Sequence, residues 1–155
     1  MTLVVYVGGA RSGKSTIAVE RAQAEGAAVT FIATGEAGDE EMAERIARHK
    51  AERPSSWTTI EEPVELHRAL ASVPAGTTVV IDCLSLWIAN GGDGKVAARR
   101  EGLTIAVTNE VGLGIVPDNA LARTYRDELG HVNASWVEAA DEAYFVVAGR
   151  MLRLA

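Results

Sequence analysis

The stretch GGARSGKS, residues 8–15, follows directly on the apolar run LVVYV and constrains this chain more than any other feature. It fits G-x-x-x-x-G-K-[ST], and it lies between a strand-like run and a helix-like run, where the chemistry of that pattern needs it. Glycines permit the tight turn and aim backbone N–H groups at phosphate oxygens, while the positive end of a helix opening near Gly13 adds a favourable field. In such a loop Lys14 reaches the β- and γ-phosphates and Ser15 ligates Mg²⁺. The bland alternative is a glycine-rich turn that matches by chance. The flanking elements and the later run VVIDC speak against it.

The rest of the chain alternates between two periodicities. Apolar runs at 3–7, 29–33, 57–60, 78–82, 103–108 and 143–148 read as strands. Helical patterns cover 15–25, stopped by Gly26; 39–53, capped by Asp39 and followed by Pro54; and 63–72, opened by Pro63. A long fourth pattern runs from Asp118 or Asn119 to Glu142, with Gly130 a candidate break. The alternation predicts an α/β fold of the P-loop NTPase kind, a mostly parallel central sheet flanked by helices. After the last run, Ala148-Gly149-Arg150 reads as a turn into MLRL, an antiparallel C-terminal edge strand. Residues 84–102, glycine-rich in the middle, are expected to cross over as two short helical pieces. With 155 residues, 48% of them hydrophobic, one domain spanning 1–155 is expected.

Charge and cysteine usage narrow the partners. Fifteen Lys and Arg against 21 Asp and Glu give a net charge of −6, and no lysine and arginine stripe exists beyond the short KVAARR, so nucleic acid is not expected as a partner. The phosphate-loop motif begins too near Met1 for a signal peptide to precede it, and Asp82 interrupts the longest apolar run well short of a membrane span. The expected location is cytoplasmic, in agreement with a single cysteine, Cys83.

Two further features carry chemistry. TTVVIDC ends in Asp82, a carboxylate placed at a strand tip to hold Mg²⁺ or its water shell beside Ser15; the competing reading is a cap for the next helix. Ligands gather at the carboxyl ends of strands in such sheets, so Thr34, Asp82 and the Thr108-Asn109-Glu110 turn are expected to face one crevice. On the 39–53 helix, Met42, Ile46, His49 and Arg53 step by four, three and four residues and share one stripe. A histidine on such a stripe is ordinarily a hydrogen-bonded core residue. Arg48, Lys50 and Arg53, however, surround it with cations, a setting suited to a phosphate chain. An imidazole there can attack phosphorus and form a phosphoramidate. His67 and His131 lack such company and read as surface or packing residues.

GGARSGKS, IATGEAGDEEMAERIARHKAERPSSWTTIEEP, IDCLSLWIAN and TNEVGLGIVPDNALARTYRDELGHVN, in that order, resemble the bifunctional adenosylcobinamide kinase / adenosylcobinamide-phosphate guanylyltransferase family of cobalamin biosynthesis. The resemblance spans nearly the whole chain, and the H-K-x-x-R-P segment and TNEVGxGIVP are its specific parts. It implies phosphorylation of adenosylcobinamide by ATP or GTP. Transfer of GMP from GTP to that phosphate would then follow, through a guanylyl group carried on His49, with pyrophosphate released. By position it implies nucleotide contacts at Gly8, Gly9, Ala10, Arg11, Ser12, Gly13, Lys14 and Ser15, at Ala33, Thr34 and Gly35, at Lys50, Ala51, Glu52 and Arg53, and at Glu61 and Asp82. It also implies a corrinoid substrate and a homo-oligomer, a trimer.

Guanylyl transfer needs attack at the α-phosphorus, whereas the kinase step needs a hydroxyl in line with the γ-phosphorus. The 35–53 segment is therefore expected to move between steps. Three departures stand out: a short connection after Asn90, NASW where the family has Asn-Gln, and no proline in AGRMLRLA. Two other readings stay open at this level. One is a small-molecule kinase with a structural histidine; the other is a nucleotide-hydrolysing switch or assembly subunit. A cofactor-free binding module would leave the loop, Asp82 and His49 as coincidences. The segments around Trp87 and Trp136 could form subunit contacts or belong to the core.

Overall fold

The computed structural model describes residues 1–155. Its seven strands are β1 (Thr2–Gly8), β2 (Val29–Ala33), β3 (Thr58–Glu61), β4 (Thr78–Asp82), β5 (Leu103–Asn109), β6 (Glu142–Val147) and β7 (Arg150–Arg153). The helices are α1 (Lys14–Ala24), α2 (Glu40–Glu52), α3 (Leu66–Ser72), α4 (Leu84–Ala89) and α5 (Ala120–Ala139). One sheet runs in the order β3-β2-β4-β5-β1-β6-β7. All neighbouring pairs are parallel except β6 with β7. The expected mostly parallel sheet with an antiparallel edge is thus what the chain forms.

Period-two alternation splits the core between the two faces of the sheet. Leu3, Val5 and Val7 of β1 pack with Ile32, Val79 and Ile81 beneath α3, α4 and α5. Val4 and Tyr6 turn the other way and meet Phe31, Val80, Ile105 and the small residues Ala18 and Ala22 of α1. Trp87 and Trp136 are fully buried in the first layer, edge to face at 6.2 Å, and their indole N–H groups donate to the Val64 and Gly94 carbonyls. Both tryptophans belong to the core and offer nothing to a partner subunit. No helix is long and apolar enough to cross a membrane.

The crossover from β4 to β5 departs from expectation. It contains one six-residue helix, α4, and the second helical piece is absent. Gly91, Gly94 and Gly102 adopt φ of 95°, 73° and 104°, values that break a right-handed helix. Residues 91–102 instead form an irregular strap. Asp93 accepts from the Lys95 amide, Arg99 pairs with Asp141, and Arg100 donates to the Thr77 and Pro74 carbonyls. Boundaries shift elsewhere too. Helix α3 starts at Leu66 rather than Pro63, and α5 passes through exposed Gly130 unbroken and ends at Ala139, because β6 begins at Glu142.

The last hairpin turns on Ala148 and Gly149, both left-handed at φ 50° and 71°, the geometry of a two-residue type I′ turn. Arg21 of α1 grips Glu142 of β6 through two bonds of 3.1 Å, and the Tyr144 hydroxyl adds a third. The guanidinium and the hydroxyl hold the Glu142 carboxyl down at about 2 from its ordinary 4.5. A carboxylate depressed in the folded state stabilises above its unfolded pKa, and that contribution is lost as pH falls through the folded one. Glu142→Gln is therefore expected to cost about 1 kcal/mol near neutrality, the upper end for a surface pair. In urea titrations the gap between the two proteins should close as pH falls from 4.5 towards 2.

Candidate active site

The phosphate loop is built as the motif requires. Arg11 and Gly13 take φ of 55° and 97°, and α1 starts at Lys14 without a side-chain cap. The first amides of α1 are thus left without the side-chain acceptor that usually receives them. A Cβ on Gly8 would lie 2.6 Å from both the Ser12 hydroxyl and the Val146 carbonyl, so only glycine fits there. Behind the loop, the Gly149 amide donates to the Ser12 carbonyl at 2.7 Å, and a Cβ on Gly13 would come within 3.3 Å of the Gly149 Cα. The C-terminal hairpin braces the loop from the rear.

Lys14 is buried and donates to the Gly9 carbonyl at 3.0 Å. Burial lowers its pKa, with Cys83 and Asp82 pulling it back up. Asp82, half-buried at the tip of β4, is pushed up by burial and drawn down by His49, by a hydrogen bond with Ser15, and by Lys14 and Arg53. A carboxylate beside a hydroxyl, opening towards a phosphate-binding loop, is a hard-oxygen donor pair of the kind Mg²⁺ shares with nucleotide phosphates. No cluster of three or more His, Cys, Asp and Glu offers an all-protein metal cage.

Helix α2 hangs over this floor. Asp39 accepts from the Met42 amide at 2.7 Å, the cap that the sequence indicates. None of its residues is buried, and within it only Met42, Ile46 and His49 are even half-buried. The stripe is as expected, yet it faces a cavity rather than a core. His49 lines three adjoining clefts, each with Ser15, two with Lys14 and two with Asp82. Its ring makes no hydrogen bond within the protein, so it is not a satisfied core histidine. Arg53, at the C-cap of α2, lies over the Phe31 ring at 3.9 Å.

Most of the expected nucleotide residues meet here. Ala33, Gly35, Lys50, Arg53, Glu61 and Asp82 line one cleft; Arg11, Ser12, Gly13 and Glu52 line the next. Thr34 does not face the crevice. Its hydroxyl is fully buried, donating to the Cys83 carbonyl at 2.6 Å and accepting from the Cys83 amide at 2.9 Å. Thr108 is likewise withdrawn onto Asn133. Gly8, Gly9, Ala10 and Ala51 are outside these lining sets. Among the lining residues that escaped notice are Arg45, one turn before His49 at i−4, Phe31 of β2 and Leu86 of α4. The helical spacing from His49 would have found the arginine; nothing in the sequence marks the leucine. His67 bonds Asp93 at 3.1 Å and rests against Trp87, and His131 is exposed, as expected of both.

Comparison with known proteins follows the same outline. A family profile described as cobinamide kinase / cobinamide phosphate guanyltransferase matches residues 3–98 and 93–154. The two pieces meet inside the 91–102 strap, where the connection looks short. The bifunctional adenosylcobalamin biosynthesis protein CobP of Pseudomonas aeruginosa is 44% identical over 160 residues, covering 94% of this chain and 92% of that protein. The protein of the same description named CobU in Escherichia coli is 35% identical over 175 residues, covering 95% and 96%. Among solved structures, an ATPase of a type III secretion system superposes with a TM-score of 0.47 at 10% identity, over 93% of this chain and 50% of that one.

Thr34 joins the β2 and β4 tips, so Thr34→Val would leave the buried Cys83 amide without its acceptor, while the Cys83 carbonyl would keep only the Trp87 amide at 3.2 Å. Chemical denaturation is expected to show a loss of about 2 kcal/mol, the cost of leaving a buried polar group unpaired.

Proposed function

The chain belongs to the cobinamide kinase / cobinamide phosphate guanyltransferase family, and on that premise we propose that it performs both reactions of its relatives with His49 as a covalent carrier. It phosphorylates the hydroxyl of the aminopropanol arm of adenosylcobinamide from ATP or GTP. It then transfers GMP from GTP to that phosphate. The observation that carries the covalent step is the position of His49: half-buried, free of protein hydrogen bonds, and in the same clefts as Lys14 and Ser15.

The chemistry balances at this one site. The imidazole nitrogen attacks the α-phosphorus while the bond from that phosphorus to the bridging oxygen breaks, and pyrophosphate leaves with the electron pair. Lys14 and the free amides of α1 hold the departing phosphates and stabilise their charge. Arg45, Arg48 and Lys50 surround the transferred group. An oxygen of adenosylcobinamide phosphate then attacks the same phosphorus and returns the imidazole. Ser15 and Asp82 would hold Mg²⁺, which neutralises phosphate charge when bound. Adenine or guanine would enter beside Ala33, Gly35 and Glu61. A kinase with a merely structural histidine is disfavoured by the unpaired ring of His49.

Exposed Leu113, Ile115, Val116 and Leu121, at 78, 97, 62 and 82% of their full exposure, make an apolar surface suited to a second copy of the chain. The proposed assembly is the trimer of the resemblance, acting in the cytoplasm; light scattering would return the monomer mass if this is wrong.

Incubation with α-labelled GTP is expected to leave acid-labile, base-stable label on the wild type and none on His49→Ala, which should still phosphorylate the acceptor. Lys14→Ala should lower both activities about a hundredfold, as removal of one charge-stabilising donor does. Label on His49→Ala would end the covalent assignment.

A further inference from the structure

The lysine and arginines that line the cavity can only donate hydrogen bonds, but a kinase step also needs something to receive the attacking hydroxyl. Asn109, at the tip of β5, lines the same cleft as Lys14, Ser15 and Asp82. Its strand lies between β4, which ends in Asp82, and β1, which leads into the phosphate loop. It stands directly opposite Gly8 in the parallel register, and the next amide, of Glu110, donates to the Gly8 carbonyl at 3.0 Å. Asn109 is thus tied to the entrance of the loop.

Its side chain is oriented by a fully committed hydroxyl. The buried Ser85 Oγ donates to the Cys83 sulfur at 3.0 Å. It accepts from the Asn109 amide at 3.3 Å and from Asn109 Nδ2 at 2.8 Å. A hydroxyl has one proton and two lone pairs, so Ser85 has nothing left to give. The Ser85 and Asn109 carbonyls are in turn held by the Tyr125 hydroxyl and by Asn133 Nδ2, both at 2.9 Å. The carboxamide nitrogen is therefore turned towards Ser85, and Oδ1 is left unburied with no protein partner.

We infer that Asn109 Oδ1 receives the hydrogen bond of the substrate hydroxyl in the kinase step and holds that oxygen in line with the γ-phosphorus. An amide oxygen repels phosphate oxygens and accepts from a hydroxyl, which selects the nucleophile as its ligand. The other acceptors in the cleft are placed otherwise: Asp82 is, with Ser15, the proposed holder of Mg²⁺, and Glu61 sits at the end of edge strand β3, on the far side of β2 and β4 from Asn109. As the hydroxyl oxygen bonds to the γ-phosphorus, the bond to the β–γ bridging oxygen breaks and the nucleoside diphosphate leaves with its electrons. The hydroxyl proton passes to water, because an amide orients but does not deprotonate. This inference rests on the kinase half of the proposed function and leaves the guanylyl half untouched, since that step has no hydroxyl nucleophile.

The test separates the two steps. Asn109→Ala is expected to lower kinase kcat on adenosylcobinamide about a hundredfold, the scale of losing one oriented catalytic contact, with the KM for ATP changed less than about twofold. Its rate of forming the guanylyl adduct from GTP alone should stay within about threefold of wild type, which also reports an intact nucleotide site. Asn109→Asp restores an acceptor and should recover at least about tenfold of the lost kcat. Kinase kcat within about threefold of wild type in Asn109→Ala would overturn the inference. So would parallel loss of phosphorylation and adduct formation in both variants, which marks a structural role. A wild-type protein that forms the adduct but does not phosphorylate adenosylcobinamide would instead remove the kinase reading on which the inference stands.

Discussion

Turning a buried parallel strand into a helix within six residues leaves backbone amides at the helix start that no side chain receives. Here β1 ends at Gly8, α1 begins at Lys14 with no capping side chain, and a buried ammonium closes the loop. Such a concentration of positive potential is stabilised by an anion. The architecture serves this one demand. Parallel strands on either side bring Asp82 and Asn109 to the same edge, and the C-terminal hairpin backs the loop through Gly149.

Above this floor, α2 carries His49, the proposed nucleophile. The helix carries a cap, a charged exterior and a stripe that includes His49, yet buries no residue. In a domain whose other helices each bury side chains in the core, this one is held mainly by its ends and by the ligand it would cover. Gly35 and Gly38 precede it, and nothing lies within 4 Å of where a Cβ on Gly38 would stand. An element attached in this way suits the proposed swing between an α-phosphorus and a more open position that admits the acceptor.

How much of this could be read from the sequence depended on how local the cause was. The phosphate loop, Asp82, the Asp39 cap and the His49 stripe are set by residues a few positions apart, and each stands where spacing placed it. Features set by distant partners were not legible. Thr34 is withdrawn because Cys83, 49 residues away, offers both a donor and an acceptor. The 91–102 strap is irregular because its glycines turn left-handed and its arginines find carbonyls on other segments. The tryptophans are core because the Val64 and Gly94 carbonyls, far along the chain, satisfy their indoles.

The central claim is that α2 delivers an imidazole to the innermost phosphorus of a triphosphate whose outer end lies in the loop. A crystal structure with Mg²⁺ and a GTP analogue that cannot release pyrophosphate tests this most directly. The account predicts the β- and γ-phosphates on the loop amides and Lys14, with a ring nitrogen of His49 about 3–3.5 Å from the α-phosphorus and opposite the bridging oxygen. The same phosphates in the loop, with His49 turned away and another side chain in that position, would contradict it.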